Sequence, residues 1–107
     1  MNLLSLRGTR VKNISALAKL TKLETLDLSV TKVESISDLE NLTDLKELRL
    51  DEMKVENISA LAKLAKLEML SLHGTNVENI SALENLTNLK HLNLFRTKHL
   101  KSQTLTS

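Results

Sequence analysis

A 22-residue internal repeat runs through this chain and limits the folds that are open to it. Four isoleucines, each followed by serine, are spaced 22 residues apart, at Ile14, Ile36, Ile58 and Ile80. The four segments that they begin align without a gap, and residues 1–13 match the last 13 residues of a further unit. Self-similarity at a period of this length is typical of proteins that stack one small structural unit on the next. We therefore predict a repeat architecture.

The composition agrees with this prediction. Leucine supplies 25 of the 107 residues, whereas Pro, Cys, Trp and Tyr are absent. An ordinary core mixes aliphatic and aromatic residues, so the excess of leucine indicates framework positions that each repeat copies. The absence of cysteine excludes a disulfide scaffold, a cysteine zinc site and a cysteine nucleophile.

Within each unit, the spacing of apolar residues changes from three to two. In the unit that begins at Ile14, the apolar positions before the change are Ile14, Leu17, Leu20, Leu23 and Leu26, and Leu28 follows. A single helix would rotate a strict period of three around its axis, so the chain must turn within the unit. The period of three suits a short helical turn, and the step of two marks a short strand. Ser37 with Glu40, and Ser81 with Glu84, match a capping box, so we expect a helical segment to begin after each of these serines.

The strand half of the unit points to a known family. The pattern Leu23-x-x-Leu26-x-Leu28-x-x-Thr31-x-Val33 recurs from Leu45, Leu67 and Leu89. It resembles the leucine-rich repeat family, in the 22-residue class found in protein-phosphatase regulators and bacterial internalins. The resemblance implies an α/β fold, a right-handed solenoid with a parallel β-sheet on its concave face and short α or 3-10 turns on its convex face.

We predict one solenoid domain over residues 1–101 and a polar C-terminal tail over residues 102–107. The solenoid comprises a half unit 1–13 and full units 14–35, 36–57, 58–79 and 80–101. The family usually has asparagine after the strand, where its side chain bonds the turn backbone of neighbouring units. Here that position reads Thr9, Thr31, Met53, Thr75 and Thr97. A threonine hydroxyl can form a shorter version of that ladder, but Met53 cannot.

The outward-pointing strand positions vary between units, whereas the framework repeats. In a solenoid, position n lies beside position n+22, so these positions form rows across the concave face. The rows contain Met69 and the sole aromatic residue, Phe95, which are residue types enriched in interface cores. We predict a protein-binding surface on the concave face. The predicted contact residues are Val30, Glu47, Arg49, Asp51, Met69, His73, His91 and Phe95.

The predicted function is a non-catalytic module that binds a partner protein through the concave sheet. The alternative is a structural spacer or adaptor segment of a larger repeat protein, in which the units only set distance. A third reading, a small hydrolase, arises because Ser71, His73 and Asp51 place the three residue types of a catalytic triad in one patch. An open sheet offers neither a pocket that excludes water nor an oxyanion site, so a surface ion pair between Asp51 and His73 is the simpler interpretation. We predict no enzyme.

Neither a metal nor another cofactor is expected. His73 and His91 lie four residues apart along neighbouring strands, which is over 10 Å at about 3.3 Å per residue. A nucleic-acid partner is not expected either. The net charge is +2, but six basic residues lie near the two ends and the rest of the chain has 9 basic residues against 13 acidic ones. No apolar run reaches the roughly 18 residues of a membrane span, so no membrane contact is expected.

The location is predicted to be cytoplasmic, with a secreted or bacterial surface protein as the alternative. Five N-x-[S/T] sequons, at Asn13, Asn41, Asn57, Asn79 and Asn85, would accept glycans in a secreted eukaryotic protein. In each Asn-Ile-Ser, however, the serine is expected to be a helix cap, which the repeat copies. Secreted eukaryotic members of the family usually carry cysteine-bonded end caps, and cysteine is absent.

The ends of the array lack the polar caps that keep solenoids soluble. At the first unit the apolar residues Leu4, Leu6, Val11 and Ile14 have no covering unit. We therefore expect the chain to be either part of a longer array or a protein that associates with itself through its uncapped ends.

Overall fold

Each repeat contributes one short strand, and the strands form a single parallel sheet. The computed structural model describes residues 2–97. The strands are β1 (Leu3–Ser5), β2 (Thr25–Asp27), β3 (Glu47–Arg49), β4 (Met69–Ser71) and β5 (His91–Asn93). They lie side by side in chain order, and each residue pairs with the residue 22 positions further on, as Leu4 does with Leu26. The sequence period is therefore the register of the sheet.

Short 3-10 turns form the opposite side of the solenoid. Their bounds are Ser15–Lys19, Ser37–Leu39, Ser59–Lys63 and Ser81–Leu83. A 3-10 helix has three residues per turn, so leucines spaced by three all face the sheet. The N–H of Leu17 donates to the carbonyl of Ile14, and the N–H of Leu20 donates to that of Leu17. The predicted solenoid of strand and short turn is confirmed. The unit boundaries stay a prediction, and residues 98–107, with the predicted tail, lie outside the described residues.

The predicted capping boxes are wrong. The residues before the turns that begin at Ser37 and Ser81 are isoleucines, and no side-chain capping bond is present there. Instead, the N–H of Ser81 donates to Oδ1 of Asn79 at 2.8 Å. The same bond recurs in two other units, from Ser15 to Asn13 and from Ser59 to Asn57. The asparagine of the repeated Asn-Ile-Ser therefore has a structural role, because its side chain forms the tight turn that starts the 3-10 segment.

The core is a column of aliphatic side chains between the sheet and the turns. Leu26, Leu48 and Leu70, at the centres of β2, β3 and β4, are fully buried. The equivalent residues of the edge strands, Leu4 and Leu92, are only partly buried. A fully buried leucine side chain stabilises a fold by about 1.5 to 3 kcal/mol, so stacking is the main source of stability for each unit.

The threonines that follow the strands bond within their own units. Oγ1 of Thr31 donates to the carbonyl of Leu28 at 2.8 Å, and Oγ1 of Thr75 donates to that of Leu72 at 2.9 Å. The predicted ladder between units is wrong, because a threonine hydroxyl is too short to span strands about 4.8 Å apart. Met53, in the same row, is 2% exposed, so packing fills that position.

Charged side chains on the side of the 3-10 turns pair between neighbouring units. Nζ of Lys63 lies 3.3 Å from Oε1 of Glu40, and Nζ of Lys66 lies 3.0 Å from Oδ1 of Asp44. The hydrogen bond and the charge of Lys66 hold the pKa of Asp44 below its usual range. Because these pairs are exposed to solvent, they add little to the free energy of unfolding. They are compatible with the observed register of the units.

The turn after each strand forces one residue into the left-handed backbone region. The φ values in this row are 76° at Gly8, 57° at Val30, 58° at Glu52, 72° at Gly74 and 61° at Arg96. The sheet ladder continues through this position, since the N–H of Val30 donates to the carbonyl of Asp51 at 2.8 Å. Glycine adopts this conformation without steric cost, whereas for an L-residue it costs roughly 1 to 2 kcal/mol and a β-branched residue is a genuine outlier. Val30 is therefore strained.

We predict that Val30→Gly raises the free energy of unfolding by about 0.5 to 1 kcal/mol, because relief of the strain outweighs the greater freedom of glycine in the unfolded chain. Urea denaturation followed by circular dichroism measures this change.

The reciprocal variant, Gly8→Val, is a matched control. A Cβ added at Gly8 meets no atom within 4 Å, so this variant changes the backbone preference alone. It is expected to lower the free energy of unfolding by roughly 1 kcal/mol or more. Equal stability of the two variants would contradict the assignment of strain to Val30.

Candidate protein-binding surface

The structure divides the eight predicted contact residues into three groups. Four lie on strands β3, β4 and β5, namely Glu47, Arg49, Met69 and His91. Three follow the strands along the same edge, namely Asp51, His73 and Phe95. Val30 lies in the left-handed turn. The prediction that all eight are strand positions is wrong for the last two groups, because each strand is only three residues long.

Three of the four strand residues form a row across neighbouring strands, and Arg49 lies diagonally beside that row. Glu47 pairs with Met69, and Met69 pairs with His91. Met69 is half-buried, whereas Glu47, Arg49 and His91 are exposed. Beside Met69 and His91 lies a shallow hollow of about 360 Å³. The apolar Met69 is thus flanked by charged or polar side chains on both sides.

Phe95 forms the centre of a small cluster at the carboxyl ends of the strands. Its ring centroid lies 5.5 Å from that of His73, with 35° between the planes. The guanidinium carbon of Arg96 lies 5.5 Å from the same centroid. An exposed cation–π contact contributes about 0.5 to 1 kcal/mol, enough to favour one orientation of the ring. Phe95 is nevertheless 63% exposed, so it is oriented without being buried.

The imidazole of His73 pairs with a residue that the sequence prediction did not include. Nε2 of His73 lies 3.4 Å from Oε2 of Glu52. A Cβ at Gly74 would lie 2.8 Å from that carboxylate oxygen, so glycine leaves room for the approach. Glu52 and Arg96 share the left-handed row with two glycines. The recurrence of glycine in that row is the sequence signal that indicates a turn projecting these side chains beside His73 and Phe95.

The three residues of the possible triad are not arranged for catalysis. The hydroxyl of Ser71 donates to Oδ1 of Asp51, and the residue is 2% exposed. The backbone N–H of His73 donates to the same oxygen at 3.1 Å. A triad requires the serine hydroxyl to bond the imidazole, and here it bonds the carboxylate directly. The expected ion pair between Asp51 and His73 is also wrong, because the imidazole pairs with Glu52.

Polar side chains along this edge complete the backbone hydrogen bonding where the strands end. The N–H of Ser29 donates to Oδ1 of Asp27, and the N–H of Phe95 donates to Oδ1 of Asn93, both at 2.9 Å. Asp27 and Asn93 are the last residues of their strands. In the two units whose strands end at Arg49 or Ser71, the acceptor comes instead from the preceding unit. There the N–H of Asp51 donates to Oγ of Ser29, and the N–H of His73 donates to Oδ1 of Asp51. The carboxylate of Asp51 therefore holds the backbone that carries His73.

We predict that Asp51→Ala lowers the free energy of unfolding by about 1 to 3 kcal/mol, because the buried Ser71 hydroxyl and the His73 N–H both lose their acceptor. Urea denaturation provides the measurement. The control Glu47→Ala removes an exposed carboxylate one row away and is expected to change stability by less than about 0.5 kcal/mol. If the two variants are equally stable, the side-chain acceptors do not stabilise this edge.

Comparison with known proteins identifies the family. A family model described as leucine-rich repeats in two copies matches residues 2–41 and 21–63, more than half of the chain. The chain belongs to the leucine-rich repeat family. Members of this family are generally non-enzymatic and act as protein-interaction modules. No curated protein matches the sequence.

Solved structures of Listeria monocytogenes internalins share the fold. Internalin C2 (inlC2) of strain 4b F2365 has a TM-score of 0.84 and 36% identity, over 86% of this chain and 41% of that chain. The functional domain of InlJ has a TM-score of 0.89 and 23% identity, over 99% of this chain and 23% of that chain, and shows the fold alone. It includes a cysteine ladder, whereas this chain has no cysteine. This leucine-rich repeat chain thus spans less than half the length of either internalin structure.

Among the described residues, no helix is long and apolar enough to cross a membrane.

Proposed function

We propose that this chain is a non-catalytic module that binds a partner protein through its concave surface. The surface comprises Glu47, Arg49, Met69, His73, His91 and Phe95, and Asp51 fixes the backbone that carries His73. Phe95 supports the proposal most directly. The only aromatic residue of the chain is largely exposed, yet contacts with His73 and Arg96 orient it. An oriented ring loses little entropy on binding, and aromatic residues are enriched among the residues that dominate interface energies.

The charges around Met69 and Phe95 support the same function. Among residues 2–97, neither Glu47 nor Arg49 lies within 4.0 Å of an opposite charge. Both are exposed, so their hydrogen-bonding groups are available to a partner. An apolar centre with a polar rim is the usual anatomy of a protein interface.

We predict that Phe95→Ala and Met69→Ala each weaken capture of the partner about tenfold or more, since truncating an interface anchor costs about 2 kcal/mol. An affinity pull-down identifies the partner, and titration calorimetry with that partner measures the change. Lys19→Ala, in the 3-10 turn on the opposite side, is the control and leaves binding unchanged.

Two outcomes would contradict this placement. Unchanged binding by both Phe95→Ala and Met69→Ala would remove the binding site from this surface. If Arg49→Glu also has no effect while deletion of residues 36–57 abolishes activity of the larger assembly, the chain is the spacer or adaptor of the alternative hypothesis.

Self-association of the 107-residue chain is a further proposal. The first strand of the described sheet, β1, is an edge, and Leu3 on it is 62% exposed. Unpaired strand edges with apolar side chains template pairing with another chain. Sedimentation velocity from about 1 to 100 µM is expected to show concentration-dependent oligomers, because mass action governs association. Leu3→Lys suppresses them, and the control Thr21→Lys does not. A monomer throughout this range would contradict the proposal.

We also propose a cytoplasmic location, which rests on the absence of cysteine, and no nucleic-acid partner, which rests on the mildly acidic body of the chain.

A further inference from the structure

A groove lies beside the turns of the first three units. It has a volume of about 1040 Å³ and runs from Gly8 and Ile14 to Glu52 and Lys54. Val30 is in its lining. The concave surface proposed above involves the third to fifth strands, so this groove is a second candidate site, which adjoins the first at Glu52 beside His73.

A row of basic residues follows the groove across the units. Arg10, Lys32 and Lys54 are spaced 22 residues apart, which places neighbours on adjacent units about 4.8 Å apart along the solenoid. All three are exposed, and among residues 2–97 none lies within 4.0 Å of a carboxylate. Lys12 adds a fourth cation to the lining. These charges are available to a ligand.

The acidic residues of the groove do not cancel this row. The lining includes three carboxylates, Glu34, Asp38 and Glu52, against the four cations Arg10, Lys12, Lys32 and Lys54. Further along the solenoid a second groove, of about 460 Å³, is lined by Glu56 and Glu78 and by no lysine or arginine. The charge of the lining therefore changes sign along the array. An acidic ligand is therefore more favourable in the first groove than in the second.

Val30 provides an apolar contact in the middle of the basic row. It is 47% exposed and has a φ of 57°, at a position where two other units have glycine. Its side chain lies outside the core and its backbone is strained, so Val30 does not stabilise the fold. Strained residues are concentrated at binding sites, where contacts to a ligand compensate for the strain.

We propose that this groove binds an extended acidic segment of a partner protein. An apolar side chain of the segment packs on Val30, and its carboxylates pair with Arg10, Lys32 and Lys54. The distance from the first to the third unit, about 10 Å, equals about three residues of an extended chain at 3.3 Å each. A nucleic acid fits less well, because Glu34 and Asp38 lie among the cations. A peptide can present an uncharged residue opposite these carboxylates, whereas a phosphate backbone carries a charge at every nucleotide.

The test uses the isotope-labelled 107-residue chain and a short synthetic peptide of glutamates around a central valine, blocked at both ends. The glutamate peptide is expected to bind with an affinity that falls as salt is added, because exposed charges are screened. Backbone amide shifts are expected at residues 8–12, at 30–34 and at Lys54. Two comparison ligands are the same peptide with glutamines and a single-stranded oligothymidylate of matched charge, and both are expected to bind at least about tenfold more weakly.

Matched variants separate this groove from the rest of the surface. Lys32→Gln combined with Lys54→Gln is expected to lower peptide affinity about tenfold, while Lys19→Gln combined with Lys22→Gln makes the same charge change on exposed residues outside the groove and leaves affinity unchanged. Val30→Gly is expected to lower affinity about threefold or more while raising the unfolding midpoint, so weaker binding cannot result from unfolding. Phe95→Ala leaves peptide binding intact, which separates this test from that of the concave surface.

Any of four results would overturn the proposal. These are equal binding of the glutamine peptide, no loss in the Lys32 and Lys54 double variant, tighter binding of the oligothymidylate, or amide shifts confined to the concave strands.

Discussion

The hydrogen-bond ladder between parallel units, at a register of 22 residues, governs the whole structure. It extends beyond the short strands. The N–H of Glu24 donates to the carbonyl of Asn2 before β2, and the N–H of Val30 donates to that of Asp51 after it. Because each unit pairs only with its neighbours, no unit buries its leucines alone, and stability is a sum of contacts between units. Every other position, on either face, is fixed by this register.

The same register explains why polar residues on the concave edge have two different roles. Where a strand ends, the backbone N–H has no partner in the sheet ladder, and an unpaired polar group is unfavourable. Asp27, Asn93 and Asp51 provide side-chain acceptors for these groups. The side chains of Glu47, Arg49 and Phe95 accept none of these bonds and are exposed. Part of the variation between units therefore serves to complete backbone hydrogen bonds.

Strain marks a third kind of position. The ladder continues into a turn that requires a positive φ, and glycine meets this requirement in two of the five units. In the other three, a side chain projects from the left-handed position. Glu52 pairs with His73, Arg96 lies over the ring of Phe95, and Val30 lines the basic groove. The turn that follows each strand therefore also projects the side chains of Val30, Glu52 and Arg96 from the surface.

The repeat, the parallel solenoid and the buried leucines follow from the sequence, because apolar residues at a period of three and then two admit few chain paths, and the pattern occurs in four full units. His91 and Phe95 were identifiable as exposed candidates for the same reason, whereas Met69, placed in the same rows, is half-buried. The roles of the polar residues could not be identified from the sequence. The carboxylate of Asp51, for example, accepts hydrogen bonds from Ser71 and His73 of the next unit, and its own unit gives no sign of this. The turns formed by the asparagine side chains, the contact of His73 with Glu52 and the groove around Val30 likewise arise from side-chain geometry, which a one-dimensional pattern does not specify. Spacing fixes which residues are neighbours, and three-dimensional packing fixes which of their atoms meet.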